Sequence, residues 1–387
     1  MFLAVNVALL VAYALALTML AFNVRKSFDL VARQRDIEIV GDSASSWPSL
    51  DIIIPVKDEE GHIADTLETI VGQHYPNPRI LVVNDRSSDN TAGVVQSWQN
   101  RYPEIRRFDV RQLPVGMFGK PHALHSVAPH LQGEYLAFVD SDLSLHPRCL
   151  TTLVRHMVNN GYDWMAAAGK PDLSGFWERV IIPVCGAAAM AWYQPRKIND
   201  PKWDNAMGTA LIICRRSAYD ALGGHRVVLT AYDEDSELIR IAKRAGHRIH
   251  FAVVPRLYSQ RYYGGLRRTI AGATRTFAGG LKRAWRVLYT INALNFISLL
   301  PIGILALLLV VWAAGGSIPL AGLWASLATT HLVIAWLLAR LVYREVGQPD
   351  MAWLHPLGSA MCIYICAKSL DQLVRRKEFT WRGTAHT

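Results

Sequence analysis

The sequence predicts an α/β protein on a doubly wound, mostly parallel, Rossmann-like sheet, with transmembrane helices N-terminal and C-terminal to it. Three observations carry the prediction. From Leu50 onwards, short apolar runs alternate with segments of helical spacing, the βαβα order that builds a parallel sheet covered on both faces. The runs Ile52-Ile53-Ile54, Ile80-Leu81-Val82-Val83 and Tyr135-Leu136-Ala137-Phe138-Val139 are apolar at every position instead of alternating, as strands buried on both faces are. Uncharged or nearly uncharged stretches of bilayer-spanning length flank that region, at Phe2 to Phe22 and at about 291–313 and 318–339.

Composition narrows the partners. Of 387 residues, 51% are hydrophobic, and Lys+Arg exceed Asp+Glu by 41 to 31, a formal charge of +10. Mean hydropathy is +0.15, high for a chain wholly in water. A basic excess suits nucleic acid, an anionic membrane surface or an anionic substrate. No zinc-ligand spacing, aromatic RNA-binding signature or long basic tail accompanies it, so no nucleic acid partner is expected. Membrane and phosphate remain. The cysteines at 149, 185, 214, 362 and 366 show no metal-like spacing, and Cys362 and Cys366 read as small buried residues one helical turn apart. They fit a reducing, cytoplasmic setting.

In chain order, residues 1–23 read as an N-terminal transmembrane anchor, because the run lacks a basic n-region and a cleavage site. Arg25, Lys26, Arg33 and Arg35 follow in a basic juxtamembrane linker, 24–47, which puts this end in the cytoplasm. Residues 48–256 form the expected catalytic domain. Its first strand is 51–56, and Ile63, Leu67, Ile70 and Val71 keep helical spacing up to the Tyr75-Pro76 break. A strand at 80–83, a helix over about 89–101, a strand from Ile105 to Val110 and a helix over about 120–131 lead to the strand before Asp140. No Gly-x-Gly-x-x-Gly follows the first strand and no Walker lysine is present, which counts against dinucleotide and P-loop sites.

Beyond Gly246 the alternation is expected to stop. Residues 257–288 read as amphipathic basic interfacial helices, since eight Lys/Arg between 256 and 287 interleave with Tyr, Leu, Ile, Phe and Trp. Residues 289–374 then hold transmembrane or re-entrant helices. The third apolar stretch, Trp353 to Cys366, is short for a span, and crossing would put Arg375-Arg376-Lys377 outside against the charge rule, so it reads as re-entrant or interfacial. Residues 375–387 form a cytoplasmic tail. The expected location is the inner (plasma) membrane, multi-pass, with the catalytic domain in the cytoplasm.

The residues with chemistry lie at strand ends. Asp140-Ser141-Asp142 ends the fourth strand, and the carboxyl edge of an open α/β sheet is where ligands bind. Carboxylates there suit Mg²⁺ or Mn²⁺, which take one or two of them plus substrate phosphates; a turn or helix cap after a strand uses the same residues. Asp85 ends the second strand and Lys57-Asp58-Glu59-Glu60 follows the first, so three acidic groups reach one rim. An Asx-turn at Asp85, a cap at Asp89 and a macrodipole role for Glu60 are the structural alternatives. Gly116 to Pro121 delivers Lys120 at a helix start, which reads as an anion cradle or a solvated lysine. Asp233-Glu234-Asp235 begins another helix, where carboxylates are stabilised regardless of function; an acid beside acids also has the raised pKa of a general base. Gly223-Gly224-His225 reads as a tight turn. Most histidines read as surface residues, with His122 set apart from them.

Residues 51–56 with Glu59-Glu60, Asn84 to Thr91, Gly119-Lys120, Asp140-Ser141-Asp142, Gly223-Gly224, and Glu234-Asp235 followed by Gly246 together resemble family 2 glycosyltransferases, in that family's order across 48–256. The resemblance implies a GT-A fold, a nucleotide-sugar donor (most simply a UDP-sugar), a divalent metal and inversion at the anomeric carbon. By position it implies donor-binding roles for Pro55, Glu59, Asp85, Lys120 and Asp140, with Asp85 at the nucleobase and Asp140 at the sugar or diphosphate. Asp142, with Asp140, would ligate the metal, and Asp235 would be the base on the acceptor hydroxyl with Glu234 beside it. The Gln-x-x-Arg-Trp motif of processive and ceramide-type members is not intact. In its place stand Gln260-Arg261-Tyr262-Tyr263 and Arg267-Arg268, candidates for the diphosphate. That departure puts chain elongation in doubt.

The tail, from His355-Pro356-Leu357 to Phe379-Thr380-Trp381-Arg382-Gly383-Thr384, is similar to membrane enzymes acting on lipids, the carotenoid- and hopanoid-associated and ceramide glucosyltransferase-like members among them. The expected reaction is therefore transfer of one sugar to a membrane lipid hydroxyl. The apolar segment Phe176 to Trp192 is a candidate acceptor wall or a plain core helix. Two other functions compete. A processive polysaccharide synthase would make products longer than one sugar, and a non-catalytic membrane scaffold would transfer from no nucleotide sugar.

Overall fold

The computed structural model describes residues 46–262, 264–281 and 283–375, with short pieces at 7–8, 11–15, 18, 37–39, 379–381 and 384–386. Most of the expected N-terminal anchor, the basic linker with Arg25, Lys26, Arg33 and Arg35, Tyr263, and much of the tail therefore lie outside the described residues. The chain divides into two units. One holds the described residues from 37 to 172 and from Tyr193 to 262; the other holds Leu173–Trp192 and the described residues from 264 to 375.

The first unit is a seven-stranded mixed sheet. Strands β1 (Leu50–Val56), β2 (Arg79–Asp85), β3 (Ile105–Val110) and β4 (Tyr135–Val139) lie parallel in the order β3-β2-β1-β4. The short β5 (Leu143–Leu145) follows Asp142. Then β6 (Trp164–Ala168), β7 (Lys170–Asp172), β8 (Leu211–Arg215) and β9 (Ile249–Val253) arise, with β8 inserted antiparallel between β4 and β6, and β9 parallel on the outer edge of β6. Helices α1 (Ile63–Val71), α2 (Thr91–Arg101) and α3 (Gly119–Ser126) make the crossovers, and α4 (Cys149–Asn160) leads into β6.

The uninterrupted apolar strands are explained by two cores, one on each face. Ile52, Ile54, Ile80 and Val82 pack with Ile63, Leu67, Leu150 and Leu153 on one side. Ile53, Leu81 and Val83 pack with Ala123, Leu124, Leu136 and Trp164 on the other. Neighbouring positions of one strand thus feed opposite cores, so neither face can be polar. Truncating a fully buried position such as Ile53 to Ala costs about 2–5 kcal/mol.

The strand order makes a switch point between β1 and β4, because the chain leaves β1 towards β2 and β3 and returns on the other side. Pairing of β1 with β4 ends at Ile53↔Phe138, whereas pairing with β2 runs on to Val56↔Asn84. The two central strands separate at their carboxyl ends, where open α/β sheets hold ligands. Pro55, without an N–H to donate, stands beyond the last β1–β4 pair.

The alternation does not stop at Gly246. Residue 249 begins β9, and β10 (Tyr258–Arg261) pairs antiparallel with β5 and parallel with β7 in a second, three-stranded sheet. The segment 257–288 therefore opens as a strand. Helices α5 (Phe176–Tyr193), α6 (Arg216–Leu222) and α7 (Glu234–Arg244) complete the order up to there. The turn after α6 is as the sequence requires: Gly223 and Gly224 have φ of +83° and +59°. A Cβ on Gly224 would come within 2.6 Å of the Tyr219 ring.

The second unit is helical. After α5 come α8 (Leu266–Leu281), α9 (Ala284–Leu294), a π-helical turn at Asn295–Leu299, α10 (Leu300–Ala313), α11 (Ala321–Glu345) and α12 (His355–Arg375). The run from α9 to α10 continues as Ala284–Ala313, and this helix and Ala321–Glu345 are long and apolar enough to cross a membrane. The second basic helix is thus no separate surface element: residues 284–288 are the first turns of a spanning-length helix. The short apolar stretch from Trp353 lies in a 3₁₀ turn, Pro349–Leu354, and in α12, which runs on for 21 residues. Close crossings are made by small residues: a Cβ on Gly358 would meet Val180 O at 2.5 Å, and Tyr343 Oη donates to that same carbonyl at 2.7 Å. Cys185 and Cys362 bury their sulfurs 3.4 Å apart in this core.

Candidate active site

Two loops at the rim of β1 and β2 are laced together by the acidic residues that the sequence singles out. Asp58 N–H donates to Ser87 Oγ at 3.0 Å, and Asp58 Oδ1 accepts from Ser88 N–H at 2.7 Å. Glu59 N–H donates to Thr91 Oγ1 at 2.8 Å, Glu60 N–H to Asp89 Oδ2 at 3.0 Å, and Asn90 N–H to Glu60 Oε2 at 2.7 Å. Asp58, Glu60 and Asp89 thus serve as loop acceptors, and Asp89 also receives Thr91 N–H at the start of α2. These bonds hold Asp89 below the usual carboxylate range against the upward pull of burial. Glu59 is buried between the loops.

Asp85 closes β2 and is buried. Arg86 grips it with two bonds, Nε to Oδ1 at 2.7 Å and Nη2 to Oδ2 at 3.0 Å. Its neighbour across the crevice is Gly119: a Cβ there would lie 2.4 Å from Asp85 Oδ2. The glycine ahead of Lys120 is therefore a condition for bringing α3 against the Asp85 carboxylate. His122, further along α3, is half-buried, its Nδ1 has no hydrogen-bond partner, and burial pushes its pKa down.

Lys120 is not solvated. Its Nζ lies 2.9 Å from Asp140 Oδ1, 3.1 Å from Glu234 Oε1 and 2.7 Å from Asp235 Oδ2. The three carboxylates come from the end of β4 and the first turn of α7, and the ammonium comes from the first turn of α3. Burial opposes the lysine's charge, but the carboxylates outweigh it and push its pKa well up. Asp235 reaches this point because the loop before β8 is small: a Cβ on Gly208 would lie 2.2 Å from Asp235 Cβ, and Gly208 N–H donates to Ser236 Oγ at 2.9 Å. Asp140 N–H donates to Ala210 O at 2.9 Å, tying the end of β4 to the same loop.

One cation facing three carboxylates leaves the cluster short of positive charge. The effect shows in Asp235, whose pKa burial and the Glu234 charge push up to about 8 although Lys120 pulls it down. Asp142, beyond the turn, is pushed up to about 7 by burial and by Asp140, with Glu59 adding to the rise and the Gln260 amide opposing it. Gln260 Nε2 lies 3.3 and 3.4 Å from the two Asp142 oxygens, and β10 is bonded to that turn by Arg261 N–H to Asp142 O at 2.9 Å.

The chemistry of this donor set fits a hard divalent cation. Asp140 and Asp142 could supply two oxygen ligands in a spot where negative charge is in excess, and Mg²⁺-type sites complete their shell with water and phosphate. Among the described residues no group of three or more His, Cys, Asp or Glu stands ready as a complete shell.

Of the residues singled out from the sequence, Pro55, Glu59, Asp85, Lys120, Asp140, Asp142, Glu234 and Asp235 all belong to this one unit. Lys120, Asp140, Glu234 and Asp235 touch directly. Arg267 and Arg268 are exposed in the first turn of α8, in the other unit. Gly208 went unread, and Gln260, read as a diphosphate candidate, turns its amide to Asp142, since these partners lie 27 and 118 residues away. His225 departs from the surface expectation: it is buried, its Nδ1 lies 2.9 Å from Tyr219 Oη, and burial pushes its pKa down to about 3. It packs edge-on against Phe138 of β4, 4.8 Å between ring centres, and is a neutral prop beneath the Asp140 turn.

The sequence profile described as Glycosyl transferase family 2 matches residues 51–223. A probable glycosyltransferase, YdaM, of Bacillus subtilis is 27% identical over 223 residues, covering 56% of this chain and 52% of that protein. A 4,4'-diaponeurosporenoate glycosyltransferase of Staphylococcus aureus is 34% identical over 107 residues, 27% of each chain. The chain thus spans about half the length of the first relative and about a quarter of the second. In three dimensions it is similar to a mannosyltransferase of Pyrobaculum calidifontis solved in complex with GDP-Man and Mn²⁺, with a TM-score of 0.51 at 17% identity, covering 98% of this chain and all of that one. That likeness is one of fold.

Proposed function

We propose, for a chain whose residues 51–223 form a glycosyl transferase family 2 domain, that it is an inverting glycosyltransferase moving one sugar from a nucleotide sugar, most simply a UDP-sugar, to the hydroxyl of a membrane lipid. The observation that carries this reading is the Lys120 cluster: carboxylates from two distant segments meet one ammonium at the switch point of the sheet. The S. aureus relative is named for 4,4'-diaponeurosporenoate, and two helices of spanning length favour an acceptor within a bilayer. With the basic residues that follow the N-terminal apolar run, the reading puts the catalytic unit on the cytoplasmic side of the plasma (inner) membrane.

In this reading Asp235 accepts the proton of the acceptor hydroxyl. The oxygen then bonds to the anomeric carbon from the face opposite the diphosphate, whose C–O bond breaks and which leaves with the electron pair. A carboxylate with a pKa near 8 is a stronger base than an ordinary one, and it is half-ionised close to neutral pH. Lys120 holds its Oδ2 in place and offsets the charge of Glu234. Asp140 and Asp142 would hold Mg²⁺ or Mn²⁺, which supplies charge neutralisation of the donor diphosphate. Gln260 keeps the Asp142 carboxylate turned towards the turn. In this reading Asp85, fixed by Arg86, meets the nucleobase, and Glu59 and Pro55 are assigned to the donor.

The test is to incubate the purified full chain in detergent with a panel of nucleotide sugars, total membrane lipid and Mn²⁺, and to read the products by mass. The reading expects lipid heavier by one sugar residue. Products carrying several sugars would mark a processive synthase, and no product from any donor would refute transferase activity.

A further inference from the structure

We propose that the start of α9 binds the phosphate head-group of an anionic membrane lipid, through Arg286 held between Trp285 and Trp192. The Arg286 guanidinium carbon lies 5.4 Å from the centre of the Trp192 ring and 5.7 Å from that of Trp285. The two indoles meet edge to face at 5.4 Å and 81°, and Tyr289 meets Trp192 at 5.5 Å and 76°. Trp192 cannot swing away freely, because its Nε1 donates to Thr290 Oγ1 at 2.8 Å. A guanidinium held beside ring faces by cation–π attraction keeps its outer N–H groups for a phosphate, and its position is set before the anion arrives.

The anion is missing from the protein itself. Between Glu237 and Glu345 the sequence contains no Asp or Glu. Among the described residues Arg286 has no carboxylate partner, and its Nε is buried without a hydrogen bond. Arg283 stands just ahead on the same segment, and the first turn of α9 has no acidic residue.

Helix length sets the depth. Ala284–Ala313 has 30 residues, whereas about 20 cross the hydrocarbon core. The apolar part from Ile291 onward is enough for the crossing, which leaves Arg283, Trp285, Arg286 and Tyr289 at the level of the head-groups. Trp and Tyr favour that level, and Trp285 and Tyr289 are 53% and 63% exposed. A lipid phosphate is the anion found there at high local concentration. The inference rests on the membrane reading above and needs no assumption about sugar transfer.

The test is native mass spectrometry of the full chain released from nanodiscs of equal phosphatidylglycerol and phosphatidylcholine. Bound phosphatidylglycerol should exceed phosphatidylcholine by about tenfold, because both carry the phosphate but only phosphatidylcholine offsets its charge with a quaternary ammonium beside Arg283 and Arg286. Arg286→Gln should remove the preference, Arg286→Lys should keep part of it, and Trp285→Leu, at a half-exposed position, should weaken it with the fold intact. Inorganic phosphate should not displace the lipid. Equal retention of both lipids by the parent chain, an unchanged preference in Arg286→Gln and Trp285→Leu, or displacement by phosphate would overturn the proposal.

Discussion

The Lys120 ammonium and the Asp235 carboxylate meet at 2.7 Å although 115 residues separate them in the chain. That contact joins the glycine-flanked loop before α3 to the acidic start of α7, and Asp140 completes the join from β4. Whatever enters the crevice meets these charges together.

Lys120 is the first consequence. Lys120→Met leaves Asp140, Glu234 and Asp235 facing one another without a counter-ion. Removing one partner of a buried ion pair costs about 3–5 kcal/mol; Lys120 keeps 31% of its side chain exposed, so the lower end applies. Thermal unfolding at pH 7.5 should show the loss, and added divalent cation should restore part of it. An unchanged melting temperature would mean that the three contacts carry no net energy.

Protonation of Asp235 gives a pH dependence in two observables. As the base it must be ionised, so the transfer rate should rise with pH through about 8. Stability has the opposite sign. The folded carboxyl binds its proton more tightly than the unfolded one, whose pKa is 3.8, so this group's contribution is present at acid pH and is lost as pH rises towards 8. The chain without divalent cation should melt lower at pH 8 than at pH 5.5, and Asp235→Asn should flatten the slope. A slope that survives the substitution would assign it to another group.

Gly119→Ala tests the approach of α3 to Asp85. The new methyl would lie 2.4 Å from Asp85 Oδ2 and 3.0 Å from Arg86 Nη2, so the carboxylate or the helix must move. Overpacking of this kind costs about 1–3 kcal/mol. Nucleotide affinity measured by calorimetry should fall at least several-fold, and unaltered affinity would remove Asp85 from the nucleobase end.

Asp142→Ala should abolish the dependence of nucleotide binding on Mn²⁺ or Mg²⁺. Calorimetry with and without the cation reads this directly. If the variant keeps the cation's effect, the ligands lie elsewhere.

Much of this arrangement is legible in the sequence because it is local. The strands 51–56, 80–83 and 135–139 announce themselves by unbroken apolar runs, and their acidic ends follow within a few residues. Gly223-Gly224 specifies a turn that only glycine makes comfortably. Other parts are not local. Strand β6, Trp164–Ala168, is mostly alanine and becomes a strand by pairing with β8 and β9. The antiparallel insertion of β8 depends on partners far away in the chain. The sequence shows a lysine at a helix start but not what it faces, so a solvated Lys120 and a gripped one look alike. Asp58 and Glu60 read as part of a third acidic cluster and Asp89 as a cap, yet backbone N–H groups of the facing loop occupy all three. The break expected after Gly246 failed for a simple reason: β9 and β10 are short, and the Lys/Arg run that begins at Arg256 resembles a surface helix.

The measurement that bears most directly on the central claim is made on Asp235→Asn. A positioned base contributes about 10²–10⁴ in rate, and the amide keeps the size and most contacts of the carboxylate. Transfer to lipid should drop by that factor while calorimetry shows nucleotide and divalent cation still bound. Transfer at the parent rate would contradict the claim that Asp235 takes the acceptor's proton.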